Sequence, residues 1–530
     1  MAAPRGAKPA GPSVPAGRTS SRLSARRRWT LAATIIGSSL TFVDATVVNV
    51  ALPALQADLQ ATITEVQWVI EAYALFLGGL ILVGGSLGDQ LGRKRVFLAG
   101  VAFFTAASIL CGLATSAAAL IVGRALQGIG AAFLVPGSLA IISATFDDAE
   151  RGRAIGTWSG FSAMTAAIGP VTGGWLIEHV SWRAVFFLNL PLAVIVAALS
   201  LRFMDESRDP SRSARIDWRG AAFAVIGLGA VVFGLLEWPP LGAGHPLVIA
   251  ALAVGALSLL RFVAVERRTA NPMLPLSLFR SRTFALANLL TLVLYAALSV
   301  IFFLVPMNLI QVQGYTATAA GAALLPLPLI MFALSRWSGG LVARVGSRLP
   351  LTVGPAIAAL GVALYARPGI GGSFWTTFFP AVIVLGFGMA ITVAPLTTTV
   401  MAAVDSHHAG VASGVNNAVA RVAGLLAIAV FGVVLARTFE ARVQGSLDAL
   451  QLSAPARTAI DRELPKMAGA NVGTIPSIGP DQRAAVHDAV AMAFVSAFRL
   501  VLIASAALAL LAAIAGALLR DEPAPVARAN

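Results

Sequence analysis

The stretch Gly85-Ser-Leu-Gly-Asp-Gln-Leu-Gly-Arg-Lys-Arg95 closes one long apolar segment and opens the next. It predicts a short, charged turn between two hydrophobic helices, because about 20 apolar residues cross the ~30 Å hydrocarbon core of a bilayer. Gly84, just before this stretch, Gly85 and Gly88 are small enough to let two helix backbones approach closely. Asp89 precedes Arg93 by one helical turn, the spacing of an i,i+4 ion pair. The basic residues that end the stretch favour the cytoplasmic side of a membrane.

The composition is that of an integral membrane protein. Of 530 residues, 58% are hydrophobic and only 12% are charged, whereas about 25% of the residues of a soluble domain are charged. The formal net charge is +14, which in a soluble protein would suggest nucleic-acid binding. Here the basic residues concentrate in the N-terminal tail and in alternate turns, so they indicate orientation in the membrane. The sequence therefore predicts the lipid bilayer, and not a nucleic acid, as a partner.

The apolar segments predict an all-α membrane protein with both termini in the cytoplasm. Each is long enough to span a bilayer, and an even number of spans returns the chain to the side of its basic N-terminal tail. The expected location is the cytoplasmic (inner) membrane. The fourteen predicted spans lie near 30–53, 67–88, 96–115, 118–144, 153–177, 183–203, 218–237, 247–264, 284–309, 318–343, 349–366, 374–402, 411–436 and 493–519.

A weak internal repeat predicts two related halves. The turn has a counterpart in Gly339-x-Leu341-x-Ala343-x-x-Gly346, and both strings end a helix on the cytoplasmic side. Internal repeats of this kind are typical of secondary transporters. Because Ala343 replaces the aspartate, we assign a gating charge to the first copy only. The predicted divisions are a disordered tail 1–28, a six-helix bundle 29–203, an inserted helix pair with its loops 204–282, a second six-helix bundle 283–520, and a tail 521–530.

Within the second bundle, residues 437–487 are polar and mixed in charge. We predict an extracytoplasmic loop there with a short helix or two. A tolerated insertion is a simpler interpretation of this loop than a substrate-binding domain.

Three charged residues lie inside predicted spans of the first bundle, away from the span ends. Asp44, Glu71 and Arg124 all fall in its outer half, and such residues are costly to bury in a bilayer unless they have a function. We expect Asp44 to carry a proton and Arg124 to set its proton affinity by pairing with the ionised carboxylate. A purely structural Asp–Arg pair is the alternative. Glu71 is a candidate for a cationic substrate or a second proton, or it extends to the nearby interface.

Several strings resemble motifs of one transporter family. The turn, with Gly85, Gly88, Asp89, Gly92 and Arg93, resembles the signature loop between helices 2 and 3 of the major facilitator superfamily. Asp44-Ala-Thr-Val-Val-Asn-Val-Ala-Leu-Pro53 is similar to the helix-1 signature of its fourteen-helix drug:proton antiporters. Arg124-Ala-Leu-Gln-Gly128 resembles the helix-4 motif. Ala167-Ile-Gly-Pro-Val-Thr-Gly-Gly174 resembles the antiporter motif of its exporters, whose kink here comprises Gly169, Pro170, Gly173 and Gly174.

The resemblance covers nearly all of 30–520 and implies the major facilitator fold, with two six-helix bundles around a central cavity and two inserted helices. It implies a proton-coupled antiporter that exports amphipathic organic compounds, such as drugs and antibiotics, with Asp89 and Arg93 latching the cytoplasmic face. The alternatives are an exporter dedicated to one metabolite and a proton-coupled importer. The sequence leaves the oligomeric state open, and a monomer is the simplest state.

Other functional classes have little support in the sequence. The chain has three lysines and none lies in a phosphate-binding G-x-x-x-x-G-K-[ST] string, which excludes a self-contained ATPase. The histidines fall in predicted loops or at helix ends, and Cys111 is the single cysteine. We therefore predict no catalytic residues, no metal site and no cofactor.

Overall fold

The computed structural model describes residues 16–208, 217–269, 272–404, 409–475 and 478–520, and this part of the chain contains no β-strand. The α-helices are α1 (Ala16–Leu59), α2 (Ile63–Leu91), α3 (Arg93–Gly112), α4 (Ala117–Thr145), α5 (Asp148–His179), α6 (Ala184–Phe187), α7 (Asn189–Phe203), α8 (Trp218–Leu241), α9 (Pro246–Arg268), α10 (Arg282–Met307), α11 (Ala317–Ala323), α12 (Pro326–Gly339), α13 (Leu341–Val345), α14 (Arg348–Tyr365), α15 (Phe374–Thr377), α16 (Phe379–Ala402), α17 (Ala409–Asp448), α18 (Ala454–Glu463) and α19 (Pro480–Ala517).

The helices confirm the all-α membrane class. Thirteen helical stretches of the described chain are long and apolar enough to cross a bilayer, and each coincides with one predicted span. The remaining predicted span, 153–177, lies in α5. This helix has 32 residues and extends ~48 Å at ~1.5 Å per residue, more than the hydrocarbon core requires.

Some predicted boundaries differ from the structure. The span predicted over 318–343 is divided into α11, α12 and α13, since Pro326 lacks the N–H that would continue the ladder of α11. The loop predicted over 437–487 is shorter, because α17 continues to Asp448 and α19 begins at Pro480. His487 accordingly lies inside a helix. Between α17 and α19 lie α18 and the 3₁₀-helices Leu464–Gly469 and Val472–Thr474.

The N-terminal tail also differs from its prediction. Residues 1–15 and 521–530 lie outside the described residues, but α1 begins at Ala16, within the stretch expected to be disordered. Ion pairs fix this end of the helix. Arg27 contacts Asp147 at 3.1 Å and Glu150 at 2.9 Å, and Arg26 pairs with Asp205.

Both copies of the repeated turn have a positive φ at their last glycine. Gly92, between α2 and α3, has a φ of +116°, and Gly346, between α13 and α14, has a φ of +76°. Residues with a side chain rarely adopt these values. At the first turn the N–H of Gly92 donates to the carbonyl of Gly88 at 3.1 Å, which ends α2. The positive φ at both positions agrees with the internal repeat that the sequence predicts.

The helices pack as two groups with an inserted pair beside them. Helices α1–α7 pack chiefly on one another, and so do α10 and α12–α19, whereas α11 belongs to the second group in sequence but packs chiefly on α5. Helices α8 and α9 pack against each other, and α8 also contacts α2 and α17, one helix from each group. We call these groups the N half and the C half. The inserted pair therefore lies where the two halves meet.

The two halves share a large apolar core at one end of the molecule, and a smaller buried cluster combines α2 and α17 with the inserted α8. We call the end with the turn at Gly92 the basic end, and the opposite end, with α18 and the two 3₁₀-helices that follow it, the loop end. A buried cluster at the loop end combines residues of α1 and α2, such as Leu55 and Val66, with residues of α10, such as Leu304. The buried cluster near the basic end belongs to the N half, with Ala418 as a partly buried contribution from α17. The structure therefore has its halves joined at the loop end.

Close helix packing gives a test of this architecture. A Cβ atom on Gly130 of α4 would lie 2.6 Å from the backbone nitrogen of Phe104 in α3, whereas a Cβ on Gly156 of α5 has no neighbour within 4 Å. We expect Gly130→Ala to lower the melting temperature of the detergent-solubilised protein, since overpacking costs about 1–3 kcal/mol. Gly156→Ala is the matched control and should leave it unchanged. Equal melting temperatures for the two variants would contradict the α3–α4 packing.

Candidate functional site

The structure brings Asp44 and Arg124 together in a buried ion pair. Asp44 lies on α1 with 2% of its surface exposed, and Arg124 lies on α4 with 1% exposed. The Arg124 Nη1 atom is 2.5 Å from the Asp44 Oδ2 atom. Arg124 Nε donates to the carbonyl of Val69 in α2 at 3.0 Å, and its guanidinium lies 4.3 Å from the centre of the Tyr73 ring. Three helices of the N half thus surround one compensated pair of charges.

Neutral polar side chains complete the coordination of the Asp44 carboxylate. Gln127 Nε2 donates to Asp44 Oδ1 at 2.8 Å, while its Oε1 accepts from Arg124 Nη1 at 2.7 Å. Asn189 Nδ2, from the first turn of α7, lies 3.4 Å from Asp44 Oδ1 and donates to Ser108 Oγ at 2.9 Å. We call Asp44, Ser108, Arg124, Gln127 and Asn189 the carboxylate cluster. Its members come from α1, α3, α4 and α7.

The sequence analysis missed the neutral members of this cluster. Gln127 had a signal, because it lies three residues after Arg124 on the same helix face and within the helix-4 motif. Ser108 and Asn189 had none, since isolated polar residues are common in membrane helices. Their position depends on how α7 packs against α1 and on how α3 packs against α4 and α7.

Glu71 does not join the carboxylate cluster. The ring of Tyr73 faces Arg124, and residues two apart on a helix point in nearly opposite directions. Glu71 instead follows Gln67 by one turn, and Gln67 contacts α17 at Gly432. Its side chain is fully buried, and neither carboxylate oxygen has a hydrogen-bond partner among the described residues. Glu71 therefore does not lie beside Asp44. It lies at the interface between α2 and α17, where the two halves meet, and we call this interface the seam.

Arg421 of α17 is the basic residue nearest this seam. Its Cβ atom lies 3.6 Å from the position that a Cβ atom would take if Gly78 of α2 had a side chain. The side chain is not exposed, and its Nε atom has no hydrogen-bond partner among the described residues. Gly78 follows Glu71 by seven residues, or ~10 Å along the helix. Within the described part of the chain, the seam thus contains a carboxylate without a hydrogen-bond partner and, at a different depth, a guanidinium whose Nε atom has none.

The charged turn at the basic end has the predicted ion pair. Arg93 Nη2 lies 2.8 Å from Asp89 Oδ1, and Arg93 Nε donates to the same oxygen at 2.9 Å. Arg93 Nη1 is 3.4 Å from the carbonyl of Ala140 in α4. Lys94 Nζ donates to the carbonyl of Met204 at 2.7 Å, after the end of α7. The turn is therefore fixed to α4 and to the segment that leaves the N half.

The glycine contacts correct one part of the sequence analysis. The tight approach between α2 and α4 occurs at Gly84, where a Cβ would overlap the carbonyl oxygen of Ala132. A Cβ on Gly85 would lie 3.6 Å from its nearest neighbour, and one on Gly88 would lie 3.9 Å away. A side chain would therefore fit at either position, so close packing of the helices does not require a glycine at Gly85 or Gly88.

The kink of α5 contacts both halves. Gly169 and Gly173 face α1, where a Cβ would overlap Thr46 and Val47 respectively. Gly174 faces the C half, with a Cβ position 2.5 Å from the carbonyl oxygen of Ala317 in α11. Pro170 lies inside α5, and its carbonyl oxygen packs on Gly321 of α11. The kink is thus part of the loop-end contact between the halves.

Comparison with known proteins identifies the family. Residues 34–428 match the family described as the Major Facilitator Superfamily. The chain is 34% identical to the multidrug resistance protein Stp of Mycobacterium tuberculosis (strain CDC 1551 / Oshkosh), over 90% of this chain and 89% of that protein. It is 36% identical to the puromycin resistance protein pur8 of Streptomyces alboniger, over 77% and 82% of the two chains. It is 33% identical to the tetracenomycin C resistance and export protein of Streptomyces glaucescens, over 87% and 82%.

Solved structures agree on the fold. The crystal structure of a bacterial homologue of the human lysosomal transporter Spinster, inward-facing and unoccupied, aligns with a TM-score of 0.65 at 18% identity. The alignment covers 94% of this chain and 99% of that one. At this level of identity the likeness concerns the fold alone. Because the family match covers residues 34–428 and the relatives are 33% to 36% identical, the chain belongs to the major facilitator superfamily of membrane transporters.

Proposed function

We propose that this protein is a proton-coupled antiporter that exports amphipathic organic compounds, including drugs and antibiotics, across the cytoplasmic membrane by alternating access. The buried carboxylate cluster carries the proposal. It contains a single carboxylate, Asp44, which lies within the bilayer, is compensated by Arg124 and can bind a proton. The names of the relatives support export, because they are resistance and export proteins. A dedicated exporter of one compound is the second candidate, since two relatives are each named for a single compound, puromycin and tetracenomycin C.

Coupling follows from the charge balance at Asp44. A proton on Asp44 would neutralise the carboxylate and leave Arg124 as an uncompensated buried charge. Breaking a buried ion pair in this way costs about 3–5 kcal/mol. Proton binding is therefore tied to a rearrangement that provides Arg124 with another partner or with water. One proton that moves down ~100 mV releases about 2.3 kcal/mol, which supports a gradient of roughly 45-fold.

Glu71 has a separate role in this proposal. Its position at the seam suits a second proton or the positive group of a substrate, because either would remove the cost of burying an ionised carboxylate without a partner. Interfacial exposure, the remaining alternative, has less support because the side chain is buried.

The turn at the basic end would act as the cytoplasmic latch. Near that end α2 approaches α17, with Leu82 Cδ2 3.5 Å from the position of a Cβ on Gly414. Asp89 lies two turns further along the same helix. We infer that the Asp89–Arg93 pair holds the end of α2 in the geometry that meets the C half when the basic end closes. Both termini would then lie in the cytoplasm.

Replacement of Asp44 tests the proton site. In everted vesicles with an established pH gradient, a fluorescent lipophilic cation transported by the native protein should dissipate the gradient. We expect Asp44→Asn to abolish this effect, because an amide cannot carry the proton. Asp58→Asn is the matched control on α1. Asp58 lies at the end of the helix, paired with Arg183 at 2.7 Å and half-exposed. Intact coupling in Asp44→Asn would rule out Asp44 as the sole proton carrier.

The choice of probe separates the two functional candidates. If several unrelated cations dissipate the gradient, broad export stands. If no cation in a broad panel does so with the native protein, broad cation export is wrong, and neutral and anionic compounds should be tested for a dedicated exporter.

Replacement of Asp89 tests the latch. We expect Asp89→Asn to slow efflux by about tenfold or more while the protein remains inserted, since a loss of ~1.4 kcal/mol of stabilisation corresponds to a factor of ten in rate. Asp147→Asn is the control at the same end, because Asp147 forms an exposed ion pair with Arg27. Efflux at the native rate from Asp89→Asn would contradict the latch.

A further inference from the structure

Residues Leu464–Gly469 form a 3₁₀-helix that reaches from the C half to the N half. The chain enters it from α18 and leaves it towards α19, so its covalent connections belong to the C half. Its contacts nevertheless include α1 and α2 of the N half, as well as the π-helix Asn308–Val312 that continues α10. We call this segment the clasp.

Hydrogen bonds attach the clasp to the end of α1. Gln56 Nε2 donates to the backbone carbonyl of Lys466 at 3.1 Å, and Lys466 Nζ donates to Gln60 Oε1 at 2.6 Å. The same Lys466 Nζ pairs with Glu463 Oε1 at 2.8 Å, inside the loop. Gln311 Nε2, from the C half, donates to Gln56 Oε1 at 2.8 Å. Gln56 is therefore held by both the clasp and the continuation of α10.

The backbone of the clasp has a rare conformation at its centre. Met467 has a φ of +52° and a ψ of −125°, a region that residues with a side chain rarely adopt. Its side chain is nonetheless buried with 3% exposed, in the apolar core that the two halves share at the loop end. Such conformations persist only where surrounding contacts impose them, and they concentrate at switching elements. Here the packing of the buried Met467 side chain in the shared core imposes the rare backbone conformation.

We propose that the clasp is a releasable closure, which holds the loop end shut in this state and detaches from α1 in each transport cycle. The proposal rests on alternating access. When the halves separate at the loop end, the clasp stays with the C half, to which both its ends are joined. Its bonds to Gln56 and Gln60 then break, and Met467 leaves the shared core. Release of the rare conformation at Met467 offsets part of the cost of opening, so closure remains reversible.

A cleavable tether tests the proposal directly. The double variant Gln60→Cys/Lys466→Cys would be joined by a bifunctional methanethiosulfonate reagent. We expect the tether to abolish efflux of a lipophilic cation that the native protein transports, and a reductant to restore it. Glu463→Cys/Lys466→Cys is the matched control, because its tether lies within the loop and should leave efflux intact. The native Cys111 is buried in the same core as Ala51, so Cys111→Ala is the common background for these variants and for the labelling experiment below.

The outcomes separate the clasp from the function. If the native protein transports the probe and a tether verified by mass spectrometry leaves efflux unchanged, the clasp does not detach and the proposal is wrong. If the native protein transports no probe, the proposed function fails, and the clasp is tested by its effect on opening instead.

Two glycines give that second measurement. A Cβ on Gly469 would lie 2.7 Å from Gln56 Oε1 and 3.0 Å from Gln311 Nε2, whereas one on Gly473 would lie 3.4 Å from its nearest neighbour, Asn471 Oδ1. We expect Gly469→Ala to displace the glutamine pair and Gly473→Ala to have no effect. The readout is maleimide labelling of Ala51→Cys, a buried position of the shared core. Severalfold faster labelling in Gly469→Ala alone supports the clasp, and equal rates would overturn it.

Discussion

The rest of this structure depends on the cost of placing an ionised carboxylate within a bilayer. Asp44 is tolerated because Arg124 compensates its charge at 2.5 Å and because Gln127 and Asn189 approach its second oxygen. These partners lie on helices distant in sequence, so the N half must assemble before the charge is satisfied. A proton at Asp44 removes the compensation for Arg124, and this dependence links a chemical event to the packing of four helices.

The halves provide the mechanical counterpart of that chemistry. They share apolar core at the loop end, where the kink of α5 packs on α11 and the clasp joins α1 to the C half. Glu71 lies on the face of α2 towards α17, the helix that also contains Arg421. The proposed proton site, the seam and the loop-end contacts therefore meet along α1, α2 and α5, the helices through which the two halves would move against each other in the proposed cycle.

Much of the fold followed from the sequence because membrane helices have a strong signal. Length and apolarity located the spans, and Asp44 and Arg124 were expected to meet because both lie in the outer half of one bundle. Neutral partners such as Asn189 had no signal of their own. Glu71 was placed with the proton site by depth alone, but its direction around α2 assigns it to the seam. The clasp was hidden because its sequence is polar and irregular, and its role depends on contacts with Gln56 and Gln60.

The most direct test of the account measures protons rather than transport. Purified protein in weakly buffered detergent solution would be mixed with a compound that it exports, and the pH would be followed. If Asp44 exchanges its proton against substrate, binding should release about one proton per substrate at a pH where the site is protonated, and Asp44→Asn should bind without that release. The same proton release from native protein and Asp44→Asn would contradict the central claim that Asp44 couples the two movements.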